Sequence, residues 1–137
     1  IWSCDPCHGN TIKAVTGFKT LTIRDLVYSG GPLNQGKIIM MHTNEWKCKN
    51  TLPLANGISI TSDPQMLKKM HEQDQPQAWR VFSGLSIWSP GQLEGEINSK
   101  CWMTAIPTPE LSLETPTTQI YEKAIEICSK QIIDKYI

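Results

Sequence analysis

The chain has 137 residues, and its 13 Lys and Arg are balanced by 13 Asp and Glu, so its formal net charge is zero. This length fits one domain, and neutrality argues against binding nucleic acid or a membrane surface through bulk electrostatics. The apolar runs are far shorter than the roughly 20 residues that a membrane-spanning helix needs. The chain does not begin with Met and shows no targeting segment, as expected of either a mature or an incomplete chain.

Strands and helices alternate in the first half of the predicted structure. Residues 11–18 alternate weakly between apolar and polar side chains and predict a strand. A short helix is predicted to begin with Thr22 as its N-cap and to end at the Gly-Gly-Pro sequence of residues 30–32. Two apolar runs, residues 37–43 and 57–61, predict buried strands.

A second helix is predicted directly after the strand at residues 57–61. Asp63 is a suitable N-cap, and Pro64 fits the first helical position because it has no N–H group to leave unpaired. The inner face of this helix is predicted to consist of Met66, Leu67 and Met70.

The second half of the chain begins with the strongest strand prediction. Residues 78–88 are rich in aromatic and β-branched side chains, which favour strands and are expected in the core. Ser89 and Pro90 then predict the start of a helical turn that buries Leu93 and Ile97.

Residues 101–106 predict one more strand, and Thr115 with Pro116 predicts the start of a final helix. The apolar stripe predicted for this last helix consists of Ile120, Tyr121, Ala124, Ile125, Cys128, Ile132 and Tyr136. A mixture of strands and interspersed helices predicts an α+β or α/β fold in one domain.

A short motif at the start of the chain, Cys4-x-x-Cys7-His8, has the spelling of a c-type haem attachment site. Pro6 and the Gly-Asn pair after the motif favour a turn over the helix on which haem attachment usually lies. The same residues disfavour a thioredoxin-like redox site, and a zinc site would need two further ligands. We therefore expect a hairpin turn here, with Cys4, Cys7 and His8 as weak candidates for a metal site.

Other catalytic patterns are few. His42 ends an apolar run, which favours a buried or rim histidine over a catalytic one, and no spacing rule pairs it with Cys48. Glu94 and Glu96 stand two residues apart, so their side chains would diverge on a helix and a paired acid–base role is not expected. The glycines of residues 30–32 are expected in a tight turn, since no Lys-Ser or Lys-Thr of a phosphate-binding loop follows them.

Five segments, SGGPL, KIIMMHT, GISITSDPQMLKKM, RVFSGLSIWSPGQLEGEINSKCWM and LSLETPTTQIYEKAIE, together resemble the AlgH/YqgE family of bacterial and plastid proteins. The resemblance covers residues 20–128, and its most specific part is Trp-x-x-Gly-Gln-Leu-Glu. The residues that match the family motifs are Gly30, Gly31, Pro32, Gly84, Trp88, Gly91, Gln92, Leu93, Glu94 and Trp102. Leu85 and Ser86-Ile87 depart from the Tyr and Ala-Gly that are usual in the family.

The resemblance implies an α+β fold, an AlgH-like mixed, strongly curled, barrel-like sheet with flanking helices. It implies one AlgH-like domain over residues 1–137 that lacks the family's first strands, whose open edge a partner chain or a preceding segment would cover. Close approach of backbones is expected at Gly84 and Gly91, and a polar cluster of Gln92 and Glu94 at a helix start. The family supplies no catalytic residues.

Family members carry the label of transcriptional regulators, but this sequence has no helix-turn-helix pattern and no basic stripe, so direct nucleic-acid binding is not expected. We expect a non-enzymatic interaction or structural module without a cofactor, an accessory subunit of a larger protein assembly in a bacterial cytoplasm or an organelle. One alternative is a ligand or enzymatic site formed by Gln92, Glu94 and His42. The second is a redox or haem role for the Cys4–Cys7–His8 motif.

Overall fold

The computed structural model describes residues 6–7, 11–16, 19–24 and 27–137. Its strands are β1 (Pro6–Cys7), β2 (Thr11–Thr16), β3 (Lys19–Arg24), β4 (Val27–Ser29), β5 (Leu33–Thr43), β6 (Leu52–Pro53), β7 (Ile58–Thr61) and β8 (Trp79–Leu85). Its helices are α1 (Gln65–His71), α2 (Gln92–Asn98) and α3 (Thr117–Tyr136), and a π-helical turn covers Glu110–Glu114. None of the helices in these ranges is long and apolar enough to cross a membrane.

Six of the strands form a mixed sheet in the order β1-β4-β8-β5-β7-β6, and β2 and β3 form a separate antiparallel pair. The β4 and β8 strands are parallel, and the other neighbours in the large sheet are antiparallel. Mixed strands with three helices confirm the predicted α+β class. The expected barrel-like curl is wrong, because the strand order of the described residues ends at β1 and β6 without closing.

The core lies between the centre of the large sheet and α1. Met40 of β5 is fully buried and packs in one cluster with Val27 of β4 and Val81 of β8. Helix α1 covers this cluster with its predicted inner face, Met66, Leu67 and Met70, all of which are buried. The loop residue Trp46 completes the cluster. Apolar burial of this kind is the main favourable term in folding.

Helix α1 begins as its sequence predicts. The Asp63 carboxylate accepts a hydrogen bond from the Gln65 N–H group at 2.9 Å, and the backbone of Pro64 is already helical, with φ −54° and ψ −27°. Asp63 thus pairs one of the free N–H groups at the start of the helix, while Pro64 has none to pair. The predicted strands at residues 37–43 and 57–61 are confirmed as β5 and β7.

The helix predicted to begin at Thr22 is wrong, because this part of the chain enters β3 and β4. Val27 aligns with Val81 and Tyr28 with Phe82 in the parallel β4–β8 pair. Pairing with a buried central strand stabilises these residues more than the weak helical preference of a few apolar side chains does. Tertiary contacts therefore override local propensity.

Two further expectations differ from the structure. Residues 101–106 form no strand and are mostly exposed. The predicted stripe of α3 is buried at Ile120 and Cys128, but Ile132 and Tyr136 are exposed. A contact at the start of this helix joins it to the sheet: buried Arg80 of β8 donates a hydrogen bond to the Thr115 carbonyl.

Candidate functional site

The Gly-Gly-Pro sequence lies directly against the end of β8. A Cβ atom on Gly31 would lie 2.2 Å from the carbonyl carbon of Leu85, and one on Gly84 would lie 2.4 Å from the Gly31 carbonyl oxygen. The Gly30 N–H also donates a hydrogen bond to the Ser83 carbonyl at 2.8 Å. Gly84, with φ +83°, is therefore a point of close backbone approach, as expected. Pro32 follows Gly31, is exposed and directly precedes β5.

Beyond Leu85 the chain leaves the sheet and forms what we call the 86–106 segment, residues 86–106, which contains α2. Helix α2 begins after Gly91, whose φ of +78° is easily adopted only by glycine. Nothing lies within 4 Å of a Cβ built on Gly91, so the expected close approach there is wrong and backbone conformation is the reason for the glycine. Leu93 and Ile97 are half-buried, and α2 has no fully buried residue.

Gln92 connects the start of α2 to its second turn. Its side-chain oxygen accepts a hydrogen bond from the Ser89 N–H at 3.0 Å, and its side-chain nitrogen donates one to Glu96 Oε1 at 3.1 Å. The first of these bonds has the three-residue backward spacing of a capping box, but it pairs the N–H of Ser89 in the turn that precedes the N-cap Gly91.

Glu96 accepts hydrogen bonds from two tryptophans as well. The indole N–H groups of Trp88 and Trp102 both donate to Glu96 Oε2, at 3.2 Å and 2.6 Å. The two rings meet edge to face, with centroids 6.4 Å apart and planes at 80°. We call these four residues, Trp88, Gln92, Glu96 and Trp102, the Glu96 cluster.

Hydrogen bonding favours the ionised form of Glu96. The bonds from Trp102, Trp88 and Gln92, in that order of effect, lower the pKa of its carboxyl group below the ordinary value of 4.5. Glu96 makes no ion pair with any described residue, so its charge is held by neutral donors alone.

The sequence indicated Glu94 as the partner of Gln92, whereas in the structure Gln92 is hydrogen-bonded to Glu96. Glu94 is exposed, and no hydrogen bond of its side chain is found among the described residues. Gln92 and Glu96 are four residues apart and so lie on one face of a helix, whereas Gln92 and Glu94 do not. The i, i+4 spacing of Gln92 and Glu96, in a segment with a tryptophan on each side, was the sequence feature that could have predicted the cluster.

The 86–106 segment exposes several large apolar side chains. Ile87 is 62% exposed, Met103 63% and Ile106 56%, and Trp102 of the Glu96 cluster is 39% exposed. Single exposed apolar residues are common, but this segment concentrates several of them, and exposed apolar patches mark interaction sites.

His42 lies in a separate buried network beside the opposite end of β8, where it is aligned with Trp79. Its Nδ1 lies 2.8 Å from the Thr43 carbonyl oxygen, which has no proton, so Nδ1 carries the proton and donates it. Nε2 lies 2.8 Å from the Thr61 hydroxyl and accepts its proton. Thr61 in turn accepts from Thr51 at 2.7 Å, and Thr51 accepts from the Cys48 N–H.

Burial, and not the hydrogen-bond network, favours the neutral form of the His42 imidazole. Burial lowers the pKa of His42, and the opposing effects of the Thr43 carbonyl and nearby Glu45 are smaller. Both ring nitrogens are occupied, and no hydrogen bond among the described residues joins His42 to Gln92 or Glu94. His42 is aligned with Trp79 at the start of β8, whereas Gln92 and Glu94 belong to α2, which follows the end of β8.

The cysteine motif lies mostly outside the described residues. Cys7 belongs to β1, where it is aligned with Val27 of β4, while Cys4 and His8 fall outside the described ranges. Cys48, Cys101 and Cys128 are free thiols, and residues 27–137 contain no group of three His, Cys, Asp or Glu side chains that could hold a metal ion.

Comparison with known proteins places these observations in a family. The family model described as AlgH-like (DUF179) matches residues 8–132. A similar UPF0301 protein of Colwellia psychrerythraea is 32% identical over 117 residues, which cover 85% of this chain and 55% of that protein. Another, of Vibrio parahaemolyticus, is 30% identical over 100 residues, which cover 73% of this chain and 54% of that protein.

The solution structure of the AlgH protein from Pseudomonas aeruginosa has a similar fold, with a TM-score of 0.65. That match is 22% identical and covers 74% of this chain and 53% of the other. The chain thus spans about half the length of the relatives it matches, at 54% and 55% of the two named above.

Proposed function

Since the chain belongs to the AlgH-like family, we propose that it is a non-enzymatic protein-interaction module, an accessory subunit of a larger assembly, and that the 86–106 segment is its binding surface. The single observation that carries this proposal is the apolar exposure of the segment. Ile87, Met103 and Ile106 are each more than half exposed. Their apolar area stays in contact with water unless a partner covers it.

The internal order of the segment also supports a binding role. The Glu96 cluster links Trp88, before α2, to Trp102, after it, through one carboxylate. A surface held in shape by its own hydrogen bonds loses less conformational entropy on binding than a flexible loop does. Tryptophan and methionine are also enriched at the centres of protein interfaces.

The His42 network supports a structural role for that residue. A general base needs a nitrogen that can reach the substrate, and both nitrogens of His42 are hydrogen-bonded inside the core. His42 is aligned with Trp79 at the start of β8, whereas Gln92 and Glu94 follow the end of β8, so the alternative of a combined site has no observation in its favour among the described residues.

The test uses the tagged full chain expressed in its source cells. We expect the double variant Met103→Ser/Ile106→Ser to lose a protein that co-purifies with the wild type, because it removes apolar contact area from the segment. Leu52→Ser/Leu54→Ser is the matched control, since it removes two equally exposed apolar side chains near β6. Co-purified proteins are identified and quantified by mass spectrometry. Identical partners for both variants would disprove the proposed surface.

A further inference from the structure

The Glu96 carboxylate has a charge and an acceptor position that the described residues leave unused. Oε2 accepts both indole N–H groups, whereas Oε1 accepts only from Gln92. Each carboxylate oxygen has about two acceptor sites, so Oε1 retains room for one more donor. No Lys or Arg of the described residues forms an ion pair with this group.

The two tryptophans add a second feature that favours a cation. Their ring planes stand at 80° to each other beside the carboxylate, and Trp102 is 39% exposed. The face of an indole ring carries negative potential and attracts cations within about 6 Å of its centroid. Because both N–H edges point at Glu96, the ring faces are turned away from the carboxylate and toward other neighbours or solvent.

We infer that the Glu96 cluster binds an arginine side chain of a partner protein, in which the guanidinium group stacks on Trp102 and donates one N–H to Glu96 Oε1. This inference rests on the proposed interaction surface and names the chemistry of the partner. Arginine suits the site better than lysine because its planar, weakly hydrated guanidinium stacks on aromatic rings while still donating in its plane.

The surrounding residues fit the same partner. Ile87, Met103 and Ile106 offer apolar contact to the residues that flank the arginine. The segment contains Glu94 and Glu96 but only one cation, Lys100, so its field favours a basic ligand over an acidic one.

The test is a nuclear magnetic resonance titration of the full chain with short synthetic peptides. One peptide places arginine between leucines, and its matched control replaces the arginine with citrulline, which has nearly the same shape and no charge. Indole N–H signals are assigned with Trp→Phe variants. We expect the arginine peptide to shift the signals of Trp88 and Trp102 but not that of Trp46, which is buried in the core and donates its indole N–H to Asp74.

Two variants locate the charge. Glu96→Gln is expected to weaken binding of the arginine peptide about tenfold, because it removes the charge and leaves one acceptor oxygen where the carboxylate has two. Glu94→Gln makes the same change in charge two residues away and is expected to change affinity by less than about twofold. The arginine and citrulline peptides are compared on the wild-type protein, so this part of the test does not depend on whether a variant folds.

The inference is overturned if citrulline binds as tightly as arginine, or if neither peptide shifts the two indole signals. Either result leaves the interaction surface intact, because that surface is judged by loss of a co-purified partner in Met103→Ser/Ile106→Ser. If Met103→Ser/Ile106→Ser instead keeps the co-purified partner while the arginine peptide still binds through Glu96, the proposed function is disproved and the cation site stands.

Discussion

Trp102 donates its indole N–H to the carboxylate of Glu96 across 2.6 Å, which ties the end of the 86–106 segment to helix α2. A hydrogen bond to an ionised acceptor is shorter and stronger than one between neutral groups. Since α2 has no fully buried residue, apolar packing contributes little to holding it. The shape of the exposed surface therefore depends on the ionised state of one carboxylate.

Replacing Glu96 with glutamine should loosen the segment while the core stays folded. The amide is uncharged, and if its one oxygen keeps both indole N–H groups, its NH2 group replaces the acceptor of the Gln92 side chain, so the cluster loses a hydrogen bond as well as the charge. We expect faster amide hydrogen exchange over residues 92–103 and an unchanged main unfolding transition. Glu94→Gln is the control and should alter neither, because Glu94 is exposed and outside the cluster. Equal exchange rates in the two variants would contradict this role for Glu96.

Acid should open the same segment. The folded-state pKa of Glu96 is lowered, so its contribution is complete above the ordinary value of 4.5 and is lost as the pH falls through the lower folded-state pKa. We expect the indole N–H signal of Trp102 to titrate with a midpoint below 4.5 and to lose this transition in Glu96→Gln. A midpoint at or above the ordinary value would show that the hydrogen bonds do not stabilise the carboxylate.

His42→Ala should destabilise the fold by about 2–4 kcal/mol. The substitution leaves a cavity beside Trp46, whose ring meets the imidazole edge to face at 5.1 Å, and removes the partner of the Thr61 hydroxyl. Urea unfolding measures the loss. His71→Ala, at the exposed end of α1, is the matched control and should cost less than about 0.5 kcal/mol. Similar losses in both variants would mean that the buried network adds no stability.

The same histidine should make the fold sensitive to mild acid. Burial lowers the folded-state pKa of His42 below 6.5, so the unfolded chain takes up a proton that the folded chain does not. Neutral His42 contributes its full share to the free energy of unfolding above pH 6.5. At lower pH this contribution should decrease, by at most about 1.4 kcal/mol per pH unit. Urea unfolding at several pH values measures the slope, which should be shallower in His42→Ala. An unchanged slope in that variant would assign the dependence to other groups.

Gly84→Ala should cost roughly 2–4 kcal/mol, because it combines a φ of +83° with a Cβ 2.4 Å from the Gly31 carbonyl oxygen. Gly36→Ala is the control: Gly36 lies in the exposed first part of β5, and nothing lies within 4 Å of a Cβ built on it. Alanine there should be neutral or stabilise by about 0.5 kcal/mol, since it reduces the freedom of the unfolded chain. Thermal unfolding measures the stability of both variants. Equal stability would show that the backbones of β8 and the Gly-Gly-Pro turn can separate at little cost.

Several elements of this protein follow from its local sequence. The apolar runs of β5 and β7, the Asp63-Pro64 start of α1 and the inner face of α1 were all predictable, because their residues act on neighbours along the chain. The Gly-Gln-Leu-Glu motif and its partner segments also identified the family. Within the Glu96 cluster, the sequence indicated Gln92 and the tryptophans of the family motif.

The tertiary structure alone decided the rest. Val27–Ser29 became a strand because β8 lies beside it, and Glu96 became the centre of the cluster because the fold returns Trp102 to α2. His42 became neutral because the fold buries it, which lowers its pKa, and inaccessible because Thr61, from another strand, pairs its second nitrogen. The Glu96–Trp102 bond spans only six residues but depends on the path that the chain takes after α2. The other two outcomes depend on groups far apart in the chain, whose attraction appears only once the fold has brought them together. Local periodicity and capping patterns carry no information about such pairs, which is why they were out of reach of the sequence.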